Sequence, residues 1–339
     1  MFACIVLLIH LLINPAWANL TQAIRSGDVL LVNRILNSGN NYGLYGSMQS
    51  YIDAAIDSKK WGILRSIYDY KQLHENFFYA CANGNVELLD QLLQDPHISV
   101  KEGKNQCLIS AIANDHINVV EILLNDGRTQ LEDGQERKES QSRVLHALVE
   151  YNRPEIMALL LNKLEPQNYH NWAIITAAEN GRYELVDLLI RHPLVNPGDS
   201  NNLALRKAVL GGHTQVVRRL LQSPSVNPSA RSIISSLGLR IVGTDEFGSM
   251  TPLEIAAAKG YDEIADILLS DPRVNPADRN NKALLLASRN NHVDIVKKLL
   301  QNDAVLTKGS LTHILSASNN DHITQLLLEA QSNRKKIGI

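Results

Sequence analysis

One phrase recurs along this chain. The stretches Asn180-Gly181-Arg182-Tyr183-Glu184-Leu185-Val186-Asp187-Leu188-Leu189, Gly211-Gly212-His213-Thr214-Gln215-Val216-Val217-Arg218-Arg219-Leu220 and Lys259-Gly260-Tyr261-Asp262-Glu263-Ile264-Ala265-Asp266-Ile267-Leu268 share their glycine and their apolar spacing. Fifteen residues beyond the glycine each reaches an Asn-Pro, at Asn196-Pro197, Asn227-Pro228 and Asn275-Pro276. A unit repeated with fixed internal phase builds an array of small modules, none of which can bury its apolar face without a neighbour. A length of 339 residues would otherwise suggest two or three domains. The repeat points instead to one elongated array.

Carrying the phase outward places the small residue that ends each first helix at Gly27, Lys59, Gly84, Asp115, Asn152, Gly181, Gly212, Gly260, Asn291 and Asp321. Six of the nine intervals run from 29 to 32 residues, and the two long ones, 37 and 48, mark insertions. The chain has to leave a helix there through a left-handed conformation. Glycine takes it freely and Asn or Asp tolerate it, so nine of the ten positions fit and Lys59 does not.

Before that residue runs a short alanine-containing helix, as in Leu253-Glu254-Ile255-Ala256-Ala257-Ala258-Lys259. After it runs a second helix with apolar residues at three- and four-residue spacing, as in Asp294-Ile295-Val296-Lys297-Lys298-Leu299-Leu300. Asp95-Pro96, His192-Pro193 and Asp271-Pro272 stop the second helices. Thr251-Pro252-Leu253-Glu254 opens one first helix, Leu145-His146 lies in another, Gly212-His213 stands at a turn, and Val-Asn recurs at Val195-Asn196, Val226-Asn227 and Val274-Asn275. In these motifs the chain resembles the ankyrin repeat family from about Asn19 to Ala330, with Glu254 where the family's opening motif carries His. The resemblance implies an all-α solenoid of about ten stacked helix-turn-helix units. Those around Tyr51 to Tyr70 and Arg143 to Leu164 are degenerate and rest on phase.

Two segments break the array. Gly127 to Gln141 is polar and reads as an exposed loop, whereas Ser229 to Ser249 carries Ile233-Ile234, Leu237 and Ile241-Val242 and reads as a segment that folds back. Residues 331–339, with Arg334-Lys335-Lys336, read as a flexible tail. At the other end Met1 to Ala18 has an apolar stretch from Ile5 to Ile13 and the triplet Ala16-Trp17-Ala18, the layout of a secretory signal cleaved after Ala18. An apolar helix capping the first repeat is the alternative. The first reading makes the protein secreted or periplasmic; the second leaves it delivered to, or resident in, a cytoplasm. No segment reaches membrane-spanning length, and the formal net charge of -2 gives no reason to expect nucleic-acid binding. The array is expected to be monomeric.

Motifs for chemistry are sparse. Cys81 and Cys107 fall on first helices of neighbouring repeats about one turn out of register, which permits a disulfide but favours two buried thiols. His116, His213, His292 and His322 recur with the repeat, so equivalent rings are spaced by about 10 Å, too far to share a zinc ion; they read as structural turn residues. Glu184, Asp187, Asp262, Glu263 and Asp266 read as the solvated face of second helices. Asn19-Leu20-Thr21 forms a glycosylation sequon beside the cleavage site. There is no nucleophile elbow, phosphate loop or dinucleotide glycine pattern. The expectation is a protein without catalysis, metal or cofactor.

What remains is surface. In the family a partner lies against the concave side, formed by first-helix ends and the connecting loops. Here the candidates are Asn83, Asn114, Glu179, Asn180, Lys259, Arg289, Asn290 and Asn319, with Trp172 near the start of its helix. Two roles are compatible with such a face: an exported adaptor, or a microbial effector that engages host proteins. An enzyme with its site in the 229–249 insertion is a third class, for which the segment supplies no motif of a nucleophile paired with a base.

Overall fold

The computed structural model describes residues 15–36, 51, 55, 60–95, 98, 100, 102–126, 137–164, 166, 168–231, 250–308 and 311–337. These divide into two compact units, Met1–Leu164 and Glu165–Ile339. In the first, helices α1 (Pro15–Ser26), α2 (Val29–Leu36), α3 (Trp61–Asn83), α4 (Val86–Leu93), α5 (Glu102–Ala113), α6 (Ile117–Asn125), α7 (Arg137–Glu150) and α8 (Pro154–Leu160) follow one another. First helices α3, α5 and α7 pack in sequence as one layer, and second helices α4, α6 and α8 as another. The second unit repeats the plan. First helices α9 (Asn168–Glu179), α11 (Asp199–Leu210), α13 (Pro252–Lys259) and α15 (Asp278–Arg289) form one layer; α10 (Tyr183–Arg191), α12 (Thr214–Leu221), α14 (Asp262–Leu269) and α16 (Val293–Leu300) form the other. Short helices α17 (Asp303–Lys308) and α18 (Leu311–Leu315) and the longer α19 (Asp321–Ile337) close its end, with α19 against α16. Among the described residues no strand occurs, so the chain is an all-α solenoid.

The layers meet over matching residues. In the second unit each second helix buries the same trio: Leu185, Val186 and Leu189; Val216, Val217 and Leu220; Ile264, Ala265 and Leu268; Ile295, Val296 and Leu299. Opposite them the first helices bury alanine beside one larger residue, such as Ala204, Leu205 and Ala208, or Ala283, Leu284 and Ala287. Alanine allows close approach and each aliphatic side chain fully withdrawn from water contributes about 1.5–3 kcal/mol. A trio can be buried only if the next repeat is in place.

Six of the ten buried polar residues among those described fall at one place in the repeat. His74, Asn105, Asn171, Asn202 and Asn281 each stand ten residues before the turn residue of their repeat, and Gln141 stands eleven before Asn152. The four asparagines have left-handed backbones, φ 65, 57, 58 and 62°. In two repeats the two preceding residues are left-handed as well, Ser200 and Asn201, and Arg279 and Asn280. Asparagine is among the few residues that adopt this conformation at small cost. Its amide then reaches the loop that leaves the repeat. Asn171 accepts from the Asn196 amide at 2.9 Å and donates to Asp199 at 2.9 Å, Asn202 accepts from the Asn227 amide at 2.6 Å, and Asn281 donates to the Val305 carbonyl at 2.8 Å. Gln141 donates to the Lys163 carbonyl at 3.0 Å. One side chain thus starts a helix and satisfies a loop that would otherwise bury unpaired backbone.

Four expectations are corrected. Cys81 and Cys107 form a disulfide, with Cα atoms 5.4 Å apart, well inside the span such a bond requires. Counting back from each turn puts them out of register, but α3 and α5 pack with a stagger that brings a residue three before Gly84 beside one eight before Asp115. Asp321 is not a turn residue: it begins α19, which the Asn320 side chain caps by accepting from the His322 and Ile323 amides. The segment from Gln331 is no flexible tail, because α19 continues to Ile337 and Arg334 donates to the Thr307 carbonyl. A run without Gly or Pro, with Arg334, Lys335 and Lys336 at its C-terminal end, suits the helix dipole. Finally, α7 begins at Arg137, so the last five positions of the polar segment 127–141 are helical; residues 127–136 lie outside the described residues, as do Lys59, the leader up to Asn14 and 232–249.

Replacing Asn202 by alanine should destabilise the second unit by about 2–4 kcal/mol, combining an orphaned buried amide with a left-handed alanine. Asn202→Gly, which keeps only the backbone freedom, should lose about 1–3 kcal/mol. Urea unfolding of both variants measures the split.

Candidate functional site

In each unit the exposed rim of the first-helix layer is built by the turns that end those helices. Gly27, Gly84, Asp115, Asn152, Gly181, Gly212, Gly260 and Asn291 are all left-handed, with φ from 55 to 81°. The next residue's amide then turns back to cap the helix, as in His116 to the Ala111 carbonyl, His213 to Ala208 and His292 to Ala287.

The residue just past the turn also joins repeats. His116 donates from Nε2 to the Ala82 carbonyl at 3.0 Å, His213 to Glu179 at 2.8 Å and His292 to Ala258 at 3.2 Å; a carbonyl only accepts, so the proton sits on Nε2. Tyr261 does the same to Leu210, and Arg153 donates to Ile112 and Ala113 while pairing with Asp115. The histidine ladder is therefore structural. His322 is not part of it, being exposed in the first turn of α19. The rings also dictate the glycines. A β-carbon on Gly84 would lie 2.6 Å from His116 Nδ1, and one on Gly181 or Gly260 would strike the rings of His213 or His292. Asp115 carries a β-carbon where the neighbour is the slender Arg153.

On this rim the proposed contact residues separate into groups. Asn83, Asn114 and Asn180 are exposed but turn their side-chain amides onto the carbonyl four residues earlier, at Tyr79, Ser110 and Thr176. Asn290 bonds the Ala258 carbonyl of the preceding repeat, and Glu179 is paired with Lys207 at 2.8 Å. Lys259 and Arg289 are exposed at the C-terminal ends of α13 and α15, one residue before Gly260 and two before Asn291. Trp172 is half-buried at the far end of α9, about 10 Å along the axis from Glu179, and so is not on the rim. Asn319 is exposed but, with Asp321 starting a helix, does not share the others' position.

Two residues of this surface escape the sequence reading. Tyr151 occupies the position of Asn83, Asn114 and Asn180 and is 45% exposed; Tyr79 lies one turn before Asn83 and is 59% exposed. Phase alone identifies Tyr151. The opposite, second-helix layer is occupied with itself: Arg219 pairs with Asp187, Arg218 with Glu263 and Lys298 with Asp266. These join neighbouring repeats, each worth about 0–1 kcal/mol.

One buried carboxyl stands apart. Glu254 accepts from the Thr251 amide while Thr251 Oγ1 accepts from the Glu254 amide, a reciprocal cap at the start of α13. Arg279 donates to it at 3.1 Å. Burial nonetheless raises its pKa above the usual carboxylate range, against the opposing pull of the Thr251 amide, Arg279 and Arg231 and with the help of Asp278. Two anchors lie nearby. Arg206 donates to the Met250 carbonyl and the Ser229 hydroxyl to the Arg273 carbonyl, fixing both flanks of 232–249. Arg273 itself donates to the carbonyls of Leu221, Ser223 and Val226.

Among the described residues no cluster of three or more His, Cys, Asp or Glu is placed to hold a metal ion, and no helix is long and apolar enough to cross a membrane. A family model described as "Ankyrin repeats (3 copies)" matches residues 77–171, 145–232, 174–278, 233–310 and 253–337. No curated protein matches the sequence.

Two outcomes are expected from this geometry. Gly181→Asn should destabilise by about 1–3 kcal/mol through overpacking against His213, and His213→Arg in the same chain should recover part of that loss in a double-mutant cycle. Because the folded pKa of Glu254 is raised, its favourable contribution is complete below the unfolded carboxyl's pKa and is lost as pH rises through the folded value. The urea midpoint of the wild type should fall relative to Glu254→Gln across that window and run parallel to it on either side.

Proposed function

The chain belongs to the ankyrin repeat family, and from that premise we propose that it is an exported, non-catalytic adaptor that holds a protein partner against the rim of its first-helix layer. Ankyrin repeats are protein–protein interaction modules, typically without catalysis. The observation that carries the assignment to this rim is that Lys259 and Arg289 stand exposed at the C-terminal ends of successive first helices, one residue before Gly260 and two before Asn291, so that two long cationic side chains emerge at the same end of neighbouring repeats. On the second-helix layer the acidic residues Asp187, Glu263 and Asp266 are engaged by Arg219, Arg218 and Lys298 of adjoining repeats. Arginine flanked by residues that exclude water is a frequent energetic anchor in interfaces. The signal-like layout of Met1 to Ala18 supports export.

Using the full chain as bait, the partner should be recovered by the wild type and by Arg218→Ala, and lost from Lys259→Ala with Arg289→Ala. The double variant should lower affinity at least about tenfold with helicity unchanged. Loss on Arg218→Ala with retention on the rim variant would place the interface on the other layer. Mass analysis of the mature N-terminus tests export: a chain beginning at Asn19 is expected, and an intact leader would remove that part of the reading.

A further inference from the structure

Cys81 and Cys107 sit on the neighbouring first helices α3 and α5, joined by a disulfide between residues that are both 0% exposed. We infer that this bond is made by exchange with a protein disulfide of the dithiol oxidoreductase class, in an oxidising compartment, before α3 and α5 close on each other.

The order of events is set by burial. Only a thiolate attacks a disulfide, and an apolar interior disfavours the thiolate and excludes the reagent, so chemistry at either sulfur requires the stack to be open. In the open chain, one cysteine loses its proton and attacks the oxidant's disulfide, giving a mixed disulfide and one released thiolate of the oxidant. The second cysteine, deprotonated in turn, attacks the sulfur of the first and expels the oxidant's other thiolate. Two electrons and the two protons end on the oxidant, which leaves as a dithiol. Closing of the stack then shields the product. A reducing cytosol would hold both thiols reduced and deliver the same fold without the link.

The staple acts locally. It ties positions 26 residues apart in sequence across one inter-repeat boundary, and a solenoid's stability is a sum of nearest-neighbour terms. Its effect belongs to 61–125 and not to 252–300. Constraining the unfolded chain over such a loop corresponds to a few hundred-fold in the local folding equilibrium. The inference does not depend on the leader, although both point outside the cytosol.

The experiment uses the full chain with its own N-terminus, expressed in a host with an oxidising export route, acid-quenched, then denatured at mildly alkaline pH and alkylated with iodoacetamide without reduction. Peptide mapping is expected to show Cys81 and Cys107 linked and unalkylated, with both labelled only after reduction. Alkylated Cys81 and Cys107 in the denatured, unreduced protein overturn the inference, whatever the variant below does. The Cys81→Ala, Cys107→Ala double variant should exchange amide hydrogens a few hundred-fold faster in 61–125 and unchanged in 252–300; equal protection in 61–125 also overturns it. A cleaved leader with free thiols sinks this inference and spares export. An intact leader with the bond formed does the reverse.

Discussion

The buried amide at the foot of the first helix is the constraint on which each repeat depends. Sequence demands that the chain reverse into a helix there, and the interior demands that every backbone group so enclosed be paired. Asparagine meets both demands at Asn171, Asn202 and Asn281, through a left-handed backbone and an amide that reaches a loop some 25 residues further on. Where the residue changes, so does the solution. Gln141, one position earlier and one methylene longer, reaches the Lys163 carbonyl, while the α13 repeat replaces the amide with the Thr251–Glu254 reciprocal cap.

A second set of bonds turns these repeats into an array. At five turns the residue that follows reaches back to the first-helix carbonyls of the repeat before it, with histidine at 116, 213 and 292, tyrosine at 261 and arginine at 153. Where a ring lies over the turn, it limits what the turn can carry. Beneath the rings lie Gly84, Gly181, Gly212 and Gly260, whereas Asp115 stands beneath an arginine. The choice of glycine is therefore partly a property of the neighbouring repeat, beyond the helix it terminates.

Much of this is legible in the order of residues. The turn glycines, the paired aliphatic trios and the prolines after the second helices all act within one repeat, where local propensity and burial point the same way, and phase locates them. The structural histidines are legible for the same reason. What phase cannot supply is geometry across repeats. The Cys81–Cys107 bond depends on how far one helix is staggered along another, and the exclusion of Trp172 from the rim depends on which end of α9 it occupies. Phase misplaces Asp321 because a histidine comes after it, as at the true turns, yet Asn320 supplies a helix cap there. The asparagine position is visible in the doubled Asn201-Asn202 and Asn280-Asn281 but hard to interpret, because polar residues near a helix start suggest solvent rather than burial.

The anchors flanking 232–249 separate two properties that a chain usually binds together. Arg206 holds the Met250 carbonyl on one side and Ser229 holds the Arg273 carbonyl on the other, while Arg273 encircles the loop from Leu221 to Val226. The spacing of α11 and α13 is set by these contacts and by their packed alanines, not by the number of residues strung between them. Closure entropy grows only slowly with loop length, about 0.6 kcal/mol per doubling. The scaffold thus has a built-in socket at this point, where sequence can be exchanged or lengthened over evolutionary time without disturbing the register of the repeats on either side.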